Sequence, residues 1–249
     1  MADNIFFHEF GSGEPFFLIH GLALDHSIWF PVKEVMSKHF RIILPDIRSH
    51  GLSTTEKSEF SMIDLGRDVI QIMDRMDIET AYFAGHSMGG YISLSILKNF
   101  TQRIQGIDLV ASHIYADTEE KCEQRLFMAE RLSLEEPIEV FRGMPDKLTR
   151  DKKIADYCRK LISQTDGSGI GGVLRAMAHR QSYEGVWKST EKSAMIIAGK
   201  EDQFIPIQTS RIMHTFSPRS ALFEVDNAGR MVIMENPQLT ANALMQLAA

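Results

Sequence analysis

The sequence predicts an α/β fold in which a mostly parallel sheet is flanked by helices. Short apolar runs recur between segments of helical periodicity, as the strands of a parallel sheet require. One long stretch, residues 117–189, carries helical patterns and no apolar run that predicts a strand. The 249 residues fit one such domain with an insertion of this size.

Apolar runs of strand length give the predicted sheet. They are Ile5–Glu9, Phe16–Ile19, Arg41–Leu44, Ala81–Ala84, Gly106–Val110, Met195–Ala198 and Ala221–Val225. The helical periodicity outside the long stretch predicts Ser27–Lys38, Ser61–Met76, Met88–Asn99, Ile207–Phe216 and Pro237–Leu247. Ser61 followed by Asp64 is typical of a capping box at the start of its helix.

The long stretch is interpreted as a helical lid inserted into the sheet domain. We expect residues 1–116 and 190–249 to form the core domain and 117–189 to form the lid, which would shape the substrate pocket. Its predicted helices are Glu119–Leu132, Pro137–Phe141, Lys152–Ser163 and Gly172–His179. The Gly-Ser-Gly sequence at 167–169 predicts a break before the last of them.

Composition excludes several classes of function. The formal net charge of −6 argues against a surface for nucleic acid or anionic membrane, and no apolar run is long enough to span a bilayer. The first four residues begin no secretory signal, and the two cysteines lack metal or disulfide spacing, so we expect a cytoplasmic protein. Without a metal cluster, dinucleotide fingerprint or phosphate loop in the sequence, we predict no cofactor.

The segment 85–89 reads Gly-His-Ser-Met-Gly and lies between a predicted strand and a predicted helix. This is the setting of a nucleophile elbow, in which a strained turn presents the serine hydroxyl and the glycines allow close backbone packing. We therefore predict Ser87 as the nucleophile. His20 and Gly21 follow another strand, so the backbone N–H groups of Leu22 and Met88 are the predicted oxyanion donors. We expect His20 itself to be structural.

These segments resemble the α/β-hydrolase family, in its smaller esterase and 3-oxoadipate enol-lactonase-like branch. The loop 46–53, Asp-Ile-Arg-Ser-His-Gly-Leu-Ser, is similar to a site-wall loop of that family, and we expect Asp46 to pair with Arg48. The family order of nucleophile, acid and histidine implies Ser87, then Asp202, then position 230. The likeness extends over almost the whole chain and is weakest in the lid.

Position 230 departs from the family pattern. The segments Asn-Ala-Gly-Arg-Met at 227–231 and Glu-Asn-Pro at 235–237 match the family segment that carries the histidine, and here that residue is Arg230. A guanidinium stays protonated and has no acceptor lone pair, so it cannot act as the general base. Arg230 is interpreted in three ways: an engineered or accidental loss of the base, a natural departure that pairs with Asp202, or a binder of an anionic substrate group while another histidine substitutes.

Among the other histidines, His113 is the preferred substitute base because it follows the strand Gly106–Val110 at the expected site. His86, His26 and His179 are weaker candidates, and the remaining ones are interpreted as structural or peripheral.

Three functions follow from these observations. The first is hydrolysis, impaired or altered by Arg230, of a carboxylic ester, lactone or thioester with an apolar body. The second is a non-hydrolytic reaction in the same pocket, by a lyase, dehydratase or cyclase, because one fold hosts many chemistries. The third is a non-catalytic receptor for a small molecule. A receptor would bind its small molecule tightly without turning it over, which distinguishes it from the two enzymes.

Overall fold

The computed structural model describes residues 5–55 and 59–248. The strands are β1 (Phe7–Phe10), β2 (Pro15–Ile19), β3 (Arg41–Pro45), β4 (Ala81–His86), β5 (Ile104–Val110), β6 (Ser193–Gly199) and β7 (Ser220–Val225). They form one sheet in the order β1-β3-β2-β4-β5-β6-β7. The β1 strand is antiparallel to β3, and the other neighbours are parallel. The predicted fold class is confirmed, and each predicted strand is present with its ends shifted by at most two residues.

Helices occupy most of the connections between the strands, and two more follow the last strand. They are α1 (Phe30–Met36), α2 (Met62–Arg75), α3 (Met88–Asn99), α4 (Glu119–Arg131), α5 (Pro137–Val140), α6 (Met144–Leu148), α7 (Lys152–Ser163), α8 (Gly167–Ala178), α9 (Glu184–Ser189), α10 (Ile207–Phe216), α11 (Val232–Glu235) and α12 (Pro237–Leu247). A short 3₁₀ turn, His26–Trp29, precedes α1. The capping box is confirmed, since Ser61 Oγ accepts from Asp64 N–H and an Asp64 carboxylate oxygen accepts from Ser61 N–H.

Helices α4 to α9 all lie between β5 and β6, in the stretch 117–189, which we call the helical insertion. The expected break at Gly167 is wrong, because α8 begins at that residue. Asp166 caps this helix with its side chain, which accepts from Ser168 N–H at 3.1 Å. A good N-cap therefore offsets the low helix propensity of the glycines. The short helices α6, α9 and α11 were not predicted, because they span too few turns for a periodic pattern.

The apolar core covers both faces of the sheet. Successive side chains of a strand point to opposite faces, so Phe17 of β2 stacks on Phe83 of β4 with ring centroids 5.3 Å apart on one face. Phe16 and Tyr82 stack at 5.6 Å on the other. The doubly covered sheet gives the ends of its parallel strands a rigid frame, and these ends carry the residues described next.

The first four residues, for which the sequence predicts no secretory signal, lie outside the described residues. No helix within the described ranges has both the length and the apolar character needed to cross a membrane.

Candidate active site

Ser87 occupies the turn between β4 and α3. Its backbone has φ 55° and ψ −111°, a strained combination for a residue with a side chain. The turn is held on both sides, because Ser87 N–H donates to Val110 O at 2.9 Å and Ser87 O accepts from Ser112 Oγ at 2.7 Å. Backbone strain fixed by neighbouring elements is typical of a positioned nucleophile.

The glycines of this turn are required by close backbone approach. A Cβ on Gly85 would lie 2.2 Å from the carbonyl carbon of Gly89, and a Cβ on Gly89 would lie 2.3 Å from Ile19 O. Both distances are far below van der Waals contact. The packing brings α3 against the end of β2, so that the loop after β2 runs beside Ser87.

That loop is held by buried histidines. His20 donates from Nδ1 to Gly21 O at 2.8 Å and accepts from Ile47 N–H at its Nε2 at 2.9 Å. His50 Nε2 accepts from Ala23 N–H at 3.0 Å. Burial and the neighbouring His20 lower the pKa of His50 to about 3, so this ring is neutral and free to accept. His20 thus takes the structural position expected of it.

Asp46 and Arg48 do not pair, which corrects the expectation from the sequence. Asp46 points beneath the loop, where Oδ1 accepts from His26 Nδ1–H at 2.8 Å and Oδ2 accepts from Leu52 N–H at 2.9 Å. Arg48 points to α2 and forms a two-bond ion pair with Asp68, at 2.7 Å from Nε and 2.5 Å from Nη2. Alternate residues of the loop face different neighbours, so each charge takes the nearest buried partner.

Arg230 lies between the predicted nucleophile and the predicted acid. Its Nη2 donates to Ser87 Oγ at 2.8 Å, and its Nη1 donates to Asp202 at 3.1 Å from Oδ2 and 3.4 Å from Oδ1. Only 7% of Arg230 is exposed. The three side chains named in the sequence interpretation are therefore brought together, although they come from distant parts of the chain.

The backbone around Arg230 is fixed. Its N–H donates to Leu148 O at 3.0 Å, and its carbonyl lies 3.0 Å from His86 Nε2. Glu235 Oε2 accepts from Gly229 N–H at 2.8 Å. The guanidinium carbon lies 5.0 Å from the centre of the Phe204 ring, within cation–π range. Both the backbone and the guanidinium of Arg230 are thus held in place by neighbouring residues.

Asp202 is also held by backbone groups. Its Oδ1 accepts from Phe204 N–H at 2.7 Å and from Ile205 N–H at 3.1 Å, in the turn that follows β6. The carboxylate therefore faces Arg230 in a fixed orientation. This arrangement pairs Asp202 with the Arg230 guanidinium, and the guanidinium gives the serine oxygen a hydrogen-bond donor where a hydrolase places an acceptor for its proton.

His113 contacts Tyr91 and Tyr115 and forms no described hydrogen bond with Ser87. Its Nδ1 accepts from Tyr115 N–H at 3.2 Å, so in the neutral ring Nε2 carries the proton and donates to the Tyr91 hydroxyl at 2.9 Å. Burial, and next the charge of Arg180, lower the pKa of His113 to about 3. Both ring nitrogens are engaged away from Ser87 in this arrangement, and the substitute-base role stays a prediction.

A cavity of about 220 Å³ opens beside these residues. Ser87, Arg230 and Leu22 line it together with side chains of the helical insertion. Neither Leu22 N–H nor Met88 N–H has a partner among the described turn and loop hydrogen bonds. Met88 begins α3, where N–H groups have no partner within the helix.

Four polar cavity residues were missed by the sequence interpretation, namely Tyr91, Lys121, Gln124 and Arg125. Tyr91 lies one helical turn after Ser87, a spacing that places it on the same side of α3. Lys121 and Arg125 belong to α4, and their four-residue spacing indicates one face of that helix. The four-residue spacing was visible in the sequence, but whether that face of α4 points to the cavity depends on how the helix packs.

The sheet order, the strained serine and the residues after β6 and β7 define the class of the protein. The family model described as alpha/beta hydrolase fold matches residues 14–129. A solved esterase structure, described next, shares this fold over 99% of the chain. The chain therefore has the α/β-hydrolase fold.

Relatives and solved structures agree with this assignment. The chain is 25% identical to (E)-2-((N-methylformamido)methylene)succinate hydrolase of Acinetobacter baylyi, over 96% of this chain and 91% of that protein. It is 27% identical to 3-oxoadipate enol-lactonase 1 of the same organism, over 88% and 82%. A thermophilic esterase from Thermogutta terrifontis, solved with malate bound, superposes with a TM-score of 0.95 at 24% identity, over 99% of this chain and 93% of the esterase.

Proposed function

We propose that this chain binds a carboxylic ester, lactone or thioester with an apolar body beside Ser87, and that Arg230 suppresses its hydrolysis. One observation carries the proposal: the Arg230 guanidinium bridges Ser87 Oγ and Asp202. In a Ser–His–Asp enzyme the bridging group is an imidazole, which takes the hydroxyl proton and later returns it. A guanidinium occupies that space here and does neither.

The substrate class is supported by the relatives named above, which are a succinate-derivative hydrolase, an enol-lactonase and an esterase. It is also supported by the cavity, whose apolar side chains suit the body of such a substrate. These are Leu22, Leu24, Met128, Phe141, Met144, Leu148, Leu174, Met177, Phe204 and Ile205. The N–H groups of Leu22 and Met88 are proposed to hold the carbonyl oxygen, since each lacks a partner in the described loops.

The chemical consequence concerns one proton. Attack of Ser87 Oγ on a carbonyl carbon releases the hydroxyl proton, which a base must accept. Arg230 donates to that oxygen and holds its electron pair, so the attack is opposed rather than assisted. Loss of a triad member lowers kcat by several orders of magnitude in serine hydrolases. Slow residual turnover is expected from the oxyanion donors and from binding.

The buried cation also favours a second candidate, a non-hydrolytic lyase, dehydratase or cyclase. Arg230 is held by Asp202 beside the proposed oxyanion donors, where a fixed positive charge would stabilise an enolate or carboxylate. No acyl-enzyme forms in such a reaction. The two candidates differ in whether Ser87 becomes covalently modified.

The test compares three proteins, the unmodified chain, Arg230→His and Arg230→Gln, by kcat/KM on 4-nitrophenyl butyrate. We expect Arg230→His to gain at least about 10³-fold, because it restores the base. Arg230→Gln removes the cation without supplying a base, and we expect it to stay near the unmodified protein. This matched pair separates removal of the guanidinium from restoration of proton transfer.

Labelling with a fluorophosphonate completes the test, with Ser87→Ala as the control. Labelling of Arg230→His that disappears in the double variant supports Ser87 as the nucleophile. Rapid hydrolysis by the unmodified chain contradicts the proposal. If no variant turns over esters or labels, the non-hydrolytic candidate or the receptor is favoured instead.

A further inference from the structure

The cavity beside Ser87 carries positive charge beyond Arg230. The charged residues that line it are Lys121, Arg125 and Arg230, and no acidic side chain among the described residues lines it. The rest of the lining is mainly apolar. Arg230 is buried and paired with Asp202, whereas Lys121 and Arg125 are partly buried, and a cation removed from water needs an anionic or hydrogen-bonding partner.

The nearby acid Asp117, which lines a neighbouring cavity together with Lys121, does not balance these cations one for one. Arg125 Nε lies 2.6 Å from Asp117 Oδ2, and Arg180 Nη1 lies 2.8 Å from the same oxygen. One carboxylate thus serves two guanidinium groups. Lys121 forms no ion pair within the described part of the chain, and its ammonium adds to the surplus.

The arrangement of α4 itself points to an occupant. Lys121 and Arg125 are four residues apart on this helix and both face the cavity, and like charges at that spacing destabilise a helix. Burial, and next the repulsion from Arg125, lower the pKa of Lys121. A bound anion would relieve this repulsion. Lys121 also lines a neighbouring cavity with His113 and Phe204, so it stands where the two cavities meet.

We propose that Lys121 binds a carboxylate on the substrate, so that the ligand carries a free acid group in addition to the carbonyl that faces Ser87. This inference rests on the proposed function, because it places the anionic end of the same ligand. The matching compounds are monoesters of short dicarboxylic acids and lactones that bear a carboxylate. The apolar wall contacts the carbon chain between the two groups.

Binding is measured by calorimetry, so that the test does not depend on turnover. The ligands are monomethyl glutarate and methyl glutaramate, in which a neutral amide replaces the carboxylate at nearly the same size. We expect the acid to bind the unmodified protein at least about tenfold more tightly than the amide, as a charged hydrogen bond contributes. Lys121→Gln should remove most of this difference and leave the amide unchanged, while Lys121→Arg should keep it.

The matched control is Lys160→Gln, which removes an exposed lysine of α7 away from the cavity and should change neither affinity. Equal binding of acid and amide, or an acid affinity that Lys121→Gln leaves unaltered, overturns the inference while the proposed function stands. If neither compound binds, the ester-binding pocket of the proposed function is itself wrong, and the inference fails with it.

Discussion

Two sides of the candidate site differ in their histidine content. On the side of the loop after β2, His20, His50 and His26 are all buried and each is hydrogen-bonded to the loop or to Asp46. On the opposite side, the position expected for a histidine holds Arg230. The difference indicates that the loop after β2, which is proposed to carry an oxyanion donor, is held by contacts that Arg230 does not make.

This comparison predicts that the scaffold for hydrolysis is intact and that only the proton acceptor is absent. If this is so, placing a histidine at position 230 is enough to restore hydrolysis. The variants below test each side in turn.

The largest effect is expected from Asp202→Asn in the Arg230→His background. An asparagine no longer stabilises the imidazolium or fixes the tautomer, so kcat for ester hydrolysis should fall by about 10⁴-fold. In the unmodified chain the same change should alter the slow residual turnover far less, because no imidazole is present for Asp202 to orient. Steady-state kinetics of the four proteins measures this coupling. Equal losses in both backgrounds would contradict the assignment of position 230.

Asp46→Ala should destabilise the side of the site formed by the loop after β2. Asp46 is fully buried and accepts hydrogen bonds from His26 and Leu52, so its removal leaves buried donors without a partner. We expect the free energy of unfolding to fall by about 3 kcal/mol. Urea denaturation measures the loss, and Glu123→Ala, at an exposed acid of α4, is the control. A stability equal to that of the control would show that the loop does not depend on this carboxylate.

The pair of His26 and Asp46 gives a pH dependence. Burial opposes the charge of His26, but its hydrogen bond to Asp46 prevails and raises the pKa of His26 above 6.5. The resulting stabilisation is complete below pH 6.5 and is lost as the pH rises through the folded value. We expect the free energy of unfolding to decline as the pH rises above 6.5, and the decline to flatten in His26→Gln. The same slope in both proteins would assign the decline to another group.

The smallest effect is expected from His113→Gln. Its ring nitrogens contact Tyr115 and Tyr91 rather than Ser87, so the residual hydrolysis of the unmodified chain should change by less than about twofold. The rate of 4-nitrophenyl butyrate hydrolysis measures this. A loss of nearly all residual activity would instead indicate that His113 is the substitute base. The side of the site that holds Arg230 would then contain a catalytic histidine after all.

The sequence predicted much of this site because its signals are local. A strand, a glycine-flanked serine and a helix follow one another at 81–99, and the turn between them has few alternatives once the glycines are present. The pairing of Asp46 with Arg48 failed for the opposite reason, since the true partner, Asp68, lies on a helix that no local pattern connects to that loop.

By itself, the sequence determined the fold class, the turn that holds Ser87 and the presence of an arginine at position 230, because each follows from residue type and order along the chain. Only the tertiary structure decided that Arg230 bridges Ser87 and Asp202 and that Lys121 faces the same cavity. These contacts join residues far apart in the chain. Their geometry depends on how the loops after β6 and β7 and the helix α4 pack against the sheet, which periodicity and spacing do not specify.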